Sequence, residues 1–177
     1  MRNRQSSITL AVKSALSFFA LTLATVLVHE GAHLVFAIMT KVPIESFSWF
    51  DPQYLAPGFF SGPTENVLGL TVVGYAGGLA AGAFLLTLLV LKRKWFSRSV
   101  FRWLLGCYIA TLGLWQICQG ILEGAFHDMY ISDATNIFSL TYGIGYVSAL
   151  LGIALYYISM PGPVEFETCQ VEHSHKA

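Results

Sequence analysis

Four long apolar stretches, separated by short polar ones, run along the 177 residues at 14–39, 67–91, 103–126 and 136–160. Each is about 25 residues long, roughly 37 Å as a helix, against a hydrocarbon core about 30 Å thick. The pattern predicts an all-α membrane protein with four transmembrane helices, tilted or with their ends in the interface. After the first helix, residues 42–49 partly alternate apolar with polar and predict a short β segment at the membrane surface. The same loop carries Phe50, Tyr54, Phe59 and Phe60, an interfacial aromatic belt, and Pro52, Pro57 and Pro63, which break any helix. A second reading of 42–49 is a docking edge for an extended substrate. Residues 1–160 thus read as one integral membrane domain, and 161–177 as a polar, disordered tail.

Composition narrows the class further. Hydrophobic residues make up 55% and charged residues 11%, too little charge to coat a soluble globule and too much apolar surface for a disordered chain. The formal net charge is +0, so bulk electrostatics calls for no nucleic-acid partner; the expected surroundings are the lipid bilayer. Arg2 and Arg4 precede an apolar run, as in a signal peptide, but the run is too long and leads straight into polar chemistry. Cys107, Cys118 and Cys169 have no CxxC spacing and predict neither disulfides nor a thiolate metal site.

The positive charges are asymmetric. Arg2, Arg4 and Lys13 precede the first stretch, and Lys92, Arg93, Lys94, Arg98 and Arg102 separate the second from the third, whereas residues 40–65 carry only Lys41. The positive-inside rule predicts cytoplasmic termini in a bacterial-type plasma membrane. Gly74, Gly78 and Gly82 recur every four residues with Gly77 and Ala81 beside them, a stripe that lets helix backbones approach closely.

The candidate chemistry lies in the first stretch, where His29-Glu30-Gly31-Ala32-His33 has the form HExxH. Positions i and i+4 share one helix face, so two imidazoles can hold one zinc ion, with Glu30 as general base. Three ionisable side chains within a membrane span need a functional reason. A zinc site also needs a third protein ligand and an open position. Gln116, Glu123 and His127 share a stripe of the third helix, with Gln119 at its edge. From Arg102 to Glu123 the helix rises about 32 Å and from Lys13 to His33 about 30 Å, so the two reach similar depth. Glu123 is the first candidate for the third ligand, ahead of His127, Asp128 and Asp133. Gln116 or Gln119 is a candidate for holding the substrate.

These pieces together resemble the site-2 protease family of intramembrane zinc metalloproteases, and its compact bacterial-type branch most. The matching segments are HEGAH at 29–33, GYAGGLAAG at 74–82, LEG at 122–124 and SDA at 132–134, within residues 25–160. The family's third ligand is an aspartate in an LDG motif, for which Glu123 stands here. The resemblance implies a catalytic core made by the first three helices, one zinc ion per chain, and hydrolysis of peptide bonds in membrane-associated substrates. It also implies a centre nearer the cytosol, whereas the charge pattern puts His29 and His33 in the outer half. Two other readings of the residues are a zinc hydrolase acting on a lipid amide or ester and a metal-ion carrier; Glu30, an acid that is not itself a ligand, speaks against the carrier.

Overall fold

The computed structural model describes residues 2–51, 56–126 and 134–159. It is mostly helical, with α1 (Arg2–Thr40), β1 (Ile44–Asp51), β2 (Ala56–Ser61), α2 (Val67–Leu91), a short α3 (Arg93–Phe96), α4 (Val100–Ala125) and α5 (Ala134–Ser159). Among the described residues, three helices are long and apolar enough to cross a membrane: Ser7–Thr40, Val67–Leu91 and Val100–Ala125. The described apolar part of α5, Gly145–Ser159, is shorter.

The ends of these helices follow local chemistry. The helix α1 starts a dozen residues before the apolar stretch, because no Gly or Pro interrupts residues 2–13. It ends at Lys41, whose φ of 59° reverses the chain. Val42 N–H then donates to the Ala37 carbonyl at 2.9 Å and Lys41 N–H to that of Ile38 at 3.4 Å. This is a Schellman cap, and it buries Val42 with Ala37 and Val73. Asn66 caps α2 by accepting from Gly69 N–H at 2.9 Å, and its amide also donates to the Thr40 carbonyl at 2.9 Å. The end of α1 and the start of α2 are thereby tied together. Ser99 caps α4 by accepting from Arg102 N–H at 3.4 Å, which starts that helix three residues before the apolar run.

The most extensive contact is between α2 and α4; α1 packs mainly on α2, and α5 on α4. The glycine stripe makes the α2–α4 contact. A methyl group at Gly78 would lie 2.5 Å from the Gly120 Cα, and one at Gly74 3.0 Å from the Gly124 Cα, so the two backbones touch. At the end of the bundle nearer Lys92, Leu85, Leu89, Phe96, Ile109, Ala110 and Tyr156 form an apolar core. There Phe18 of α1 stacks on Tyr108 of α4 with centroids 4.3 Å apart, and the Thr22 and Tyr108 hydroxyls hydrogen-bond.

Of the segment 42–49, residues 44–49 form a strand that runs on to Asp51, and it has a partner the alternation did not reveal. The strand β1 pairs antiparallel with β2, with Phe47 opposite Phe59 and Ser46 opposite Phe60. Phe50, Phe59 and Phe60 thus belong to a hairpin folded back onto α1, and Tyr54 lies outside the described residues.

Candidate metal centre

The site is assembled from three helices and the hairpin. His29 and His33 stand one turn apart on α1 and are 3% and 9% exposed, although much of that helix faces outward. Their Nε2 atoms lie 3.0 Å apart. Glu123, from the last turn of α4, places Oε2 3.2 Å from His29 Nε2 and 3.5 Å from His33 Nε2. These residues are a group able to hold a metal ion.

The other atom of each side chain is fixed. His29 Nδ1 is 2.6 Å from Gln116 Oε1 and His33 Nδ1 is 2.7 Å from the Val73 carbonyl. Both partners are acceptors, so both Nδ1 atoms donate, and an imidazole that carries no second proton turns a lone pair inward at Nε2. Gln119 donates to Glu123 Oε1 at 2.8 Å, while Glu123 Oε2 is buried with no hydrogen-bond partner. With both Nε2 atoms unprotonated, three lone-pair atoms converge with no donor between them. Such a cluster is repulsive until a cation occupies it. With ligand distances of about 2.0–2.1 Å, the edge of a zinc tetrahedron is about 3.3 Å, close to the three separations here. The donor set, two imidazoles and a carboxylate, fits zinc and leaves a fourth position.

Room for the imidazoles comes from α2. A methyl group built on Gly77 would collide with His33 Nε2 and lie 2.7 Å from His29 Nε2. Gly77 thus does more than let helices pack; its missing side chain is where the two imidazole rings sit.

Glu30 points beside the cluster. Its Oε2 accepts the Phe59 N–H of β2 at 3.0 Å, and Phe59 stacks on the His33 ring with centroids 5.8 Å apart. A cavity of ≈ 370 Å³ opens here, lined by His29, Glu30, His33 and Glu123 on one side and by Glu45, Phe59, Phe60 and Ser61 of the hairpin on the other.

Of the residues singled out by sequence, the structure brings together His29, Glu30, His33, Glu123, Gln116 and Gln119. The two glutamines were candidates for holding substrate; the structure engages Gln116 with His29 and Gln119 with Glu123. His127, Asp128 and Asp133 lie outside the described residues. The sequence reading missed the Val73 carbonyl and the Phe59 N–H. Both are backbone groups, for which side-chain identity carries no signal.

The chain matches no protein-family model, no curated protein and no solved structure.

Proposed function

We propose that the protein is an intramembrane zinc metallopeptidase of the site-2 protease type, cleaving peptide bonds of membrane-associated substrates. The observation that carries this reading is the convergence of His29 Nε2, His33 Nε2 and Glu123 Oε2 beside an acid, Glu30, with its own separate partner. These three residues would hold the zinc ion. When bound, zinc supplies a Lewis acid that polarises a carbonyl and acidifies water.

The chain's own groups do the rest. The Glu30 carboxylate faces the cavity from the turn that carries both histidines, placed to accept a proton and return it to a leaving amine. Gln116 and Val73 lock the imidazole rings, so the ligands need no reorganisation. The edge of β2 nearest the cavity offers backbone groups to an extended segment, as its Phe59 N–H does to Glu30. This moves the docking edge from 42–49, the first strand, to its partner. An extended segment suits the chemistry, because carbonyls in an intact helix are already hydrogen-bonded and shielded.

The decisive comparison is of membranes carrying wild-type protein with membranes carrying Glu30→Gln. The variant keeps volume and metal but loses the proton acceptor, and cleavage of any substrate should fall by about 10²–10⁴-fold. Substrates should accumulate uncut in the variant; turnover within tenfold of wild type would remove Glu30 from the chemistry.

In the membrane, α5 supplies a fourth span, and the Lys92–Arg102 segment and both termini are cytoplasmic, which makes the cavity open to the opposite side. In a Cys-free background, an impermeant thiol reagent on intact cells should label Ser61→Cys and spare Ser97→Cys. The reverse pattern would turn the site toward the cytosol.

A further inference from the structure

The opposite end of the bundle has a second cavity of ≈ 650 Å³ between α1, α2 and α4. Leu21, Leu88, Leu105 and Ile109 are among its walls, and Lys92 and Trp95 line it where α2 ends and α3 begins. We propose that it is a binding site for one anionic phospholipid, with an acyl chain among the leucines and the phosphate on Lys92.

Depth supports an acyl chain. Ile109 stands nine residues into α4, about 14 Å along the helix, close to the roughly 15 Å of one hydrocarbon leaflet. A partner's transmembrane helix would need a groove running the whole bundle, and this one ends near Ile109. Charge supports an anionic headgroup. Residues 92–102 contain five Lys and Arg and no acid. Arg93 is engaged with the Ser159 carbonyl at 2.7 Å, and Arg102 lies over the Trp95 ring at 4.7 Å. Lys92 lines the cavity itself, and among the described residues no carboxylate pairs with its ammonium group. The Trp95 indole, held by Arg102, sits where indoles favour the boundary between headgroups and chains. Basic pockets between transmembrane helices recognise anionic headgroups in this way. The site shares no residue with the metal centre, so it stands whether or not the protein hydrolyses peptides.

The test is native mass spectrometry of the full-length protein in neutral detergent, titrated with phosphatidylglycerol, with phosphatidylcholine of the same chains, and with glycerol phosphate. One phosphatidylglycerol should bind with about fivefold preference over phosphatidylcholine, and glycerol phosphate should not bind. Lys92→Ala should erase the preference, Leu105→Trp should block lipid uptake, and Arg98→Ala, outside the cavity lining, should change neither. Helical content by circular dichroism shows that each variant is folded; if Leu105→Trp is not, Lys92→Ala against Arg98→Ala decides. Equal binding of the two lipids, or equal losses in Lys92→Ala and Arg98→Ala, would overturn the site.

Discussion

The helices α1 and α2 lie side by side and contribute unequally to the candidate metal centre. The two histidines and the acid of HExxH belong to α1, yet that helix is largely exposed, with Val12, Leu16, Phe19, Val35 and Ile38 turned outward. The helix α2 contributes no side chain to the group of His29, His33 and Glu123. The middle of its buried face is a run of small residues, Gly74, Gly77, Gly78, Ala81 and Gly82. One helix thus brings the chemistry, and the other brings the space and the backbone carbonyl that aims it. A membrane favours this division, because small residues let helices approach where the hydrophobic effect does not drive them together. Buried polar groups then find partners at close range.

Two glycines, one on each helix, test the division most sharply. A methyl group at Gly77 enters the space of both imidazoles, whereas one at Gly31, inside the motif itself, meets nothing within 4 Å. Gly77→Ala should therefore displace the rings and abolish stoichiometric metal binding. Gly31→Ala should keep the metal and stabilise α1 by about 1 kcal/mol. Metal content and thermal unfolding of the two purified variants check this. Equal metal in both would mean that α2 does not shape the site.

A smaller effect is expected behind the ligands. Gln116→Leu leaves the His29 Nδ1–H without its acceptor in a buried place. Metal affinity should fall by about 10–100-fold, the usual cost of losing such an outer partner. Competition with a chelator of known affinity measures it. An unchanged affinity would show that packing alone orients the ring.

The difference between the two helices also explains what could be read from the sequence. The pentapeptide on α1 was legible because fixed spacing on a helix puts His29 and His33 on one face whatever else the chain does. The height of Glu123 beside the histidines was legible through depth, counted from Lys13 and Arg102 at an equal rise per residue. The glycine stripe announced close packing, and Gly78 against Gly120 fulfils it. Gly77 was not distinguishable from its neighbours, since which face of α2 meets α1 depends on tertiary packing. The hairpin was half legible. The alternation at 42–49 marked one strand, but Pro57 and Gly58 obscured β2, which pairs nonetheless from Ala56 to Ser61. The short α3 has only four residues, fewer than any periodicity can mark.

The proposed hydrolysis depends on a cation lying between His29, His33 and Glu123. Its most direct test is the zinc content of purified full-length protein, determined beside the His29→Ala/His33→Ala double variant. The arrangement of the three lone-pair atoms predicts about one zinc ion per chain in the wild type and none in the double variant, with helical content alike in both. Wild-type protein that stays metal-free with zinc in excess, or a double variant that retains the full complement, would contradict it.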